Sequence, residues 1–344
     1  MPEGSRVCSF CSEPDSIRSP LIVSNGLLFC LQCWDNNPLP FLERKKEDSS
    51  LLKKCVHCGD SIVDKPQGGG FCERCINNLF LFNYSFKPES IKFFSKEEEL
   101  DFSPSSIPLD STMLYGIELE VECVKNRTLD TLVNAIISFP QKVVYCKRDS
   151  SIKYGFEIVS HPGSFKWWKE NIESIEKILS IRSAGFRSFN TDTCGIHIHM
   201  DKFLFSPSDI QKMHDFFRYN PGFILMVSQR VKNKLDRWAG IYHPGDAKVY
   251  YKCINKSGSV ERHVAINLNP PKTVEIRIFR GTLNTKSFYK NIEFCDALYL
   301  FIKEVSMREC TLENFLKFVI FNKEKYENLF EFLKNRSMFV GDGI

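Results

Sequence analysis

The sequence predicts an α+β protein in which a sheet with one apolar and one acidic face is backed by helices and preceded by small zinc modules. Three observations carry this expectation. Several segments alternate apolar and polar residues with a period of two, the pattern of strands with one buried face. Segments with helical spacing of apolar residues lie between and after them. Four CxxC pairs crowd the first 75 residues.

A chain of 344 residues is long enough for two or three units. Apolar residues at 43%, with 30 phenylalanines, can build a sizeable core, and charged residues at 26% fit a globular protein in water. No basic segment leads into an apolar run at the start, and no stretch of 18 apolar residues occurs. The expectation is a cytoplasmic protein, neither secreted nor membrane-spanning. In a reducing compartment, paired cysteines read as metal ligands rather than disulfides.

The cysteine pairs are Cys8/Cys11, Cys30/Cys33, Cys55/Cys58 and Cys72/Cys75. Each CxxC turn sets two thiolates on one side of a tight knuckle, and two knuckles complete a tetrahedral four-sulfur zinc shell. LLFCLQCWDNN at Leu27–Asn37 returns as GGFCERCINN at Gly69–Asn78, a duplication that favours two sequential ribbons, each holding one zinc. A cross-braced pairing, first with third and second with fourth, stays open. His57, inside a knuckle already supplied with four thiolates, reads as a bystander. The run Pro66–Gly70 lacks the Lys-Ser/Thr ending of a phosphate loop and reads as a turn, and Glu43–Asp48 reads as a solvated connector. Residues 1–80 carry nine Lys/Arg against ten Asp/Glu, which leaves no basic footprint for nucleic acid and favours docking of a protein.

Residues 81–112 mix Ser, Pro and charge without a sustained period and read as a linker. Next comes YGIELEVEC, Tyr115–Cys123, in which Ile117, Leu119, Val121 and Cys123 alternate with Glu118, Glu120 and Glu122. Carboxylates two residues apart on a strand are about 7 Å from each other. At that distance each pair repels by about 2 kcal/mol at an effective dielectric near 20. On an exposed face this cost is trivial; in a cleft it demands a cation.

Thr128–Phe139 has a cap and helical spacing, and Val143–Cys146 reads as a short strand before the turn Arg148–Ser151. Tyr154–Ser160 is a strand with Glu157 opposite Phe156 and Ile158. Ser164–Arg182 reads as one long helix with Trp167, Trp168, Ile172, Ile175 and Leu179 as its core stripe. In Cys194–Asp201, Ile196, Ile198 and Met200 face one way and His197, His199 and Asp201 the other. Ser206–Asp209 opens a capped helix. Arg262–Asn269 sends His263, Asn267 and Asn269 to the polar side. Thr273–Gly281 sends Glu275 and Arg277 there, and the remainder to Asn335 is helical and rich in Phe. Carboxylates, imidazoles and a guanidinium on one polar face are what a divalent-metal phosphate site needs. Cys194 beside the histidines has no assignable base and reads as a small buried turn residue rather than a nucleophile.

YGIELEVE, the Asp149-Ser-Ser turn leading to GFEIVS-HP, CGIHIHMD and TVEIRIFRGTL, in this order over Leu114–Thr282, resemble the amidoligase family, carboxylate–amine ligases related to glutamine synthetase. The resemblance implies a glutamine synthetase-like antiparallel sheet whose acidic concave face binds ATP and Mg²⁺ or Mn²⁺, within a catalytic domain spanning 113–344. It implies Glu118, Glu120, Glu157, His197 and Glu275 as metal ligands, with Glu118 and His197 also in the catalytic set. Arg277 is the arginine expected at the transferring phosphoryl group, assisted by Arg280. His199, Asp149 and Asn267 are the expected nucleotide contacts. The implied reaction joins a carboxylate and an amine, each a metabolite, peptide or protein, through an acyl phosphate. Two other classes stay open on the residues alone. One is a metal-dependent hydrolase built on His197-x-His199, with His214, His243 or His263 as further ligands. The other is a non-catalytic protein whose zinc ribbons recruit partners.

Overall fold

A computed structural model describes residues 21–24, 27–30, 55, 72, 75–76, 81–86, 88, 91–94, 99–102, 112–123, 135–136, 138–140, 143–152, 154–241 and 263–339. Among them the strands are β1 (Leu21–Ser24), β2 (Leu27–Cys30), β3 (Leu81–Phe82), β4 (Ile91–Phe94), β5 (Glu99–Phe102), β6 (Leu114–Cys123), β7 (Val144–Lys147), β8 (Gly155–Ser160), β9 (Gly163–Ser164), β10 (Phe186–Arg187), β11 (Gly195–Asp201), β12 (Ile266–Asn267) and β13 (Thr273–Arg280). The helices are α1 (Phe165–Glu170), α2 (Ile172–Leu179), α3 (Pro207–Tyr219), α4 (Pro221–Ser228), α5 (Lys232–Trp238), α6 (Thr285–Glu304), α7 (Leu312–Phe321) and α8 (Glu327–Lys334).

β1 and β2 form an antiparallel hairpin of their own. The main sheet runs β12–β13–β11–β6–β8–β7–β3. It is antiparallel from β12 to β7, but β3 joins β7 in parallel and β4 joins β9 in parallel. The sheet is therefore mixed, not wholly antiparallel as expected. The long connection between β3 and β7 permits the parallel pairing, which a tight hairpin would forbid. The fold class is α+β, with helices flanking this sheet. β3, β4 and β5 all fall in 81–112, so the stretch read as a linker supplies strands to the sheet.

The period-two pattern places Ile117, Leu119 and Val121 of β6, Ile196, Ile198 and Met200 of β11, and Val274, Ile276 and Ile278 of β13 in the core. Helix α6 packs among α3, α7 and α8, and buries Ile292, Phe294, Ala297, Leu298, Phe301 and Ile302. The Phe content has a structural use. Phe216, Phe294 and Phe301 meet Phe315 edge-to-face, with ring centroids 5.2, 5.9 and 5.5 Å away, the geometry aromatic quadrupoles favour. Trp168 is buried and its indole N–H donates to the Tyr115 carbonyl at 3.0 Å, in keeping with a core role.

Two elements depart from expectation. The segment Ser164–Arg182 is broken at Asn171, whose side-chain amide donates to the Trp167 carbonyl at 2.9 Å and competes with the helix ladder. Ile172 just beyond the break is exposed, not core. The strand expected over Arg262–Asn269 shrinks to Ile266–Asn267, cut short before Pro270 and Pro271, which lack backbone donors. Of the helix expected at Thr128–Phe139, Ala135 and Ile136 are helical, and residues 128–134 and 137 lie outside the described residues. At Ser206 the expected cap is a full capping box with Asp209.

Candidate active site

The antiparallel register assembles the polar face row by row. His197 lies opposite Glu118 between β11 and β6. His199 lies opposite Glu275 between β11 and β13, and Asn267 of β12 extends that row by facing Glu275. Glu157 lies opposite Glu120, and Lys147 of β7 opposite Glu157. A register shift between Ile196 and Ile198 puts His197 at a bulge, the local device that re-aims a side chain.

One ligand atom each from Glu118, His199 and Glu275 fall within 4.8 Å of one another. His199 Nε2 is 3.3 Å from Glu118 Oε1, while its Nδ1 is 2.9 Å from Thr273 Oγ1. His197 Nδ1 stands between two carboxylates, 3.2 Å from Glu118 Oε2 and 3.4 Å from Glu275 Oε1. Asn267 Nδ2 donates to Glu275 Oε2 at 2.7 Å, and Arg277 Nη1 donates to Glu275 Oε1. Glu120 Oε2 accepts the Gly195 N–H at 2.6 Å. Lys147 Nζ is 3.4 Å from Glu157 Oε2, an oxygen that is buried without a hydrogen bond.

Of these groups Glu118, Glu120, Lys147, Glu157, His197 and Arg277 line a cleft of about 250 Å³, joined there by Asp149, whereas His199, Glu275 and Asn267 are not among its lining residues. Asp149 caps its own turn by accepting the Ser151 N–H at 2.6 Å. Arg280 stands apart from this set; it lines a smaller neighbouring pocket. Glu122 also leaves the cluster, because Arg187 of β10 pairs with it at 2.8 Å. Of the further histidines, His263 lines the cleft and packs on Trp238, His214 lines a different cavity, and His243 lies outside the described residues.

Sequence reading missed Lys147 and Arg230. Lys147 alternates correctly with Cys146 on β7, so its strand period pointed to the polar face. Arg230 follows the end of α4 and carries no periodic signal. It is half-buried, lines the cleft, and its Nε donates to the Ile278 and Phe279 carbonyls at 3.1 and 3.2 Å. Burial pulls its pKa down to about 10, against the opposing pull of Glu120.

Burial disfavours every charge here, and the neighbours decide which charges survive. Burial would raise Glu118, but His199 and His197 outweigh it and hold the carboxyl well below the usual range. Glu157 is pushed up to about 8 by burial and by the Glu118 charge, with Lys147 opposing. Glu120 is raised by burial, partly offset by His197 and the Gly195 N–H. Burial would lower His199, but Glu118, Glu275 and Glu157 raise it to about 9. Near neutral pH, then, an imidazolium and a carboxyl proton moderate the repulsion among four acids. Cys194 is buried, which pushes its thiol up to about 12, in keeping with a turn residue rather than a nucleophile.

A second cluster joins Cys55, Cys72 and Cys75, with one sulfur each within 4.8 Å, and the Cys72 N–H donates to Cys55 Sγ at 3.2 Å. It unites the third pair with the fourth, as sequential pairing expects. Cys8, Cys11, Cys33, Cys58 and His57 lie outside the described residues, as do Glu43–Asp48 and Pro66–Gly70; Cys30 ends β2.

A family model described as "Putative amidoligase enzyme" matches residues 118–226, less than half of the chain. No curated protein matches it. The matched segment includes Glu118, Glu120, Asp149, Glu157, His197 and His199 and stops before Asn267, Glu275, Arg277 and Arg280. It suggests an enzyme of the amidoligase family, with two candidate metal-binding clusters, and no helix of the described residues is long and apolar enough to cross a membrane.

Proposed function

We propose that this chain is an ATP-dependent carboxylate–amine ligase acting through an acyl phosphate. The observation that carries the reading is the convergence of Glu118, His199 and Glu275 on one point, with Arg277, which lines the cleft together with Glu118, held against Glu275. The residues fit a divalent ion on two counts. Their donors are hard carboxylate oxygens with imidazole nitrogen, a set suited to Mg²⁺ or Mn²⁺. Glu157 also keeps a buried oxygen without a hydrogen bond. Glu118, Glu120, Glu157, His197, His199 and Glu275 would hold the ion, which would screen charge on the phosphates of ATP during transfer.

The rest is the work of the chain's own residues. Glu275 aims Arg277, whose guanidinium would neutralise the γ-phosphoryl group as it passes to the substrate carboxylate and ADP leaves. The amine then attacks the acyl carbon, phosphate departs with the C–O electrons, and the nitrogen loses a proton. Asn267 positions Glu275, and Asp149 shapes the turn at the nucleotide's edge of the cleft. The buried walls limit water, which would otherwise hydrolyse the acyl phosphate.

In this reading the acidic face is concave, as in glutamine synthetase, and residues 113–344 form the cytoplasmic ligase domain. Residues 1–80 are two zinc ribbons that dock a protein substrate or partner. Cys55, Cys58, Cys72 and Cys75 form the second shell of four sulfurs, and Cys8, Cys11, Cys30 and Cys33 the first. The test is incubation with ATP, Mg²⁺ and pooled amino acids and peptides. The reading expects phosphate release matched by new amide masses; phosphate release without amide, or none, would overturn it.

A further inference from the structure

Beside the main cleft lies a pocket of about 90 Å³. Arg230, Lys234 and Arg280 line it, against one carboxylate, Asp192. Asp192 is exposed and already paired with Lys234 Nζ at 3.1 Å. Arg280 Nε is buried without a hydrogen bond, an arrangement that disfavours an isolated protein and favours an incoming acceptor. The walls are also conformationally committed. Asn190 and Gln229, with φ of 52° and 57°, hold left-handed backbone at its margin, a cost that glycine would avoid.

Arg230 lines both this pocket and the cleft. Gly195 makes this possible, since a Cβ there would come within 2.2 Å of Arg230 Nη2. Gly195 also donates its N–H to Glu120 in the cleft and sits opposite Arg280 in the β11–β13 register. An acid-rich cleft and a cation-rich pocket are thus separated by one glycine and one guanidinium. The first suits metal-bound phosphates and the second suits a bare anion.

We infer that this pocket binds an anchoring carboxylate of the substrate, distinct from the carboxyl group that is activated. The inference rests on the ligase reading for the word substrate, and on the pocket alone for the word carboxylate. The planar forks of Arg230 and Arg280 match a planar carboxylate, and the preferred ligand is an amino acid or dicarboxylate rather than a neutral amine.

Calorimetry and Arg Nε–H NMR on the full chain, without ATP or added Mg²⁺, test this with acetate, glutarate and inorganic phosphate. Glutarate should bind and shift the Arg280 Nε–H signal. Arg280→Gln and Lys234→Gln should each weaken binding by about tenfold or more, the loss of a charge-assisted contact. Thermal midpoints of both variants confirm folding, and the wild-type NMR shift stands even if Arg280→Gln does not fold. No shift with any carboxylate, equal affinity for phosphate, or undiminished binding in folded Arg280→Gln would overturn the assignment. Arg280-dependent carboxylate binding supports the pocket whether or not ATP is turned over. Failure of the ligase reading is thereby told apart from failure of the pocket.

Discussion

Glu275 lies opposite His199 in the β11–β13 register, and both reach to within 4.8 Å of a Glu118 oxygen. Three neighbouring strands therefore contribute one ligand atom each to a single point. Because rigid strands hold these side chains, the spacing is set by the sheet and does not depend on a loop.

Metal affinity should rise with pH. Glu157, near 8, and His199, near 9, hold protons below those values and must release them to act as ligands. Mn²⁺ affinity should climb from pH 6.5 to about 9 and then level off, with proton uptake by buffer seen as a buffer-dependent heat. A flat profile over this range would mean that neither group ligates.

Arg277→Lys should fold and lose activity. Lysine keeps the charge but not the two-pronged fork that Glu275 orients. Losing one transition-state donor costs about 3 kcal/mol, or about a hundredfold in rate. ATP turnover read alongside the thermal midpoint separates this from unfolding, and full activity would remove Arg277 from the reaction.

Glu122→Gln should do little. Its partner Arg187 is partly exposed, and such a pair is worth about 1 kcal/mol or less. Turnover within about twofold of wild type is expected. A collapse comparable to that of Glu118→Gln would place Glu122 in the site after all.

Much of this site was legible because strand parity is strict. Glu118, Glu157, His197 and Glu275 were assigned to one polar face by alternation alone, and the register brings them together. Parity was silent on which polar residues meet across strands. It grouped Glu122 with Glu118 and Glu120, although β10 supplies Arg187 to draw it away. The family motif grouped Arg280 with Arg277, whereas Arg277 lines the cleft and Arg280 lines the neighbouring pocket. Arg230 reaches the cleft from the end of a helix, by a route no periodicity records. The segment 81–112 looked like a connector because strands of two to four residues are too short to show a period.

Cys75→Ser should disturb the sheet edge as well as the metal. Cys55, Cys75 and Ile76 are buried in the same core cluster as Leu81, the strand that joins β7 beside Lys147. A structural zinc shell contributes on the order of 10 kcal/mol to folding. The variant should lose one zinc per chain by elemental analysis and gain amide exchange at β3 and β7. Unchanged zinc content with intact protection would refute the shell.

The most direct test of the metal centre is electron paramagnetic resonance of Mn²⁺ added to the zinc-loaded chain with ATP. Bound Mn²⁺ should show ¹⁴N coupling from imidazole, lost in His199→Gln and His197→Gln together, and Glu275→Gln should weaken binding. Aqueous Mn²⁺ alone, or a bound signal indifferent to all three substitutions, would contradict this metal centre.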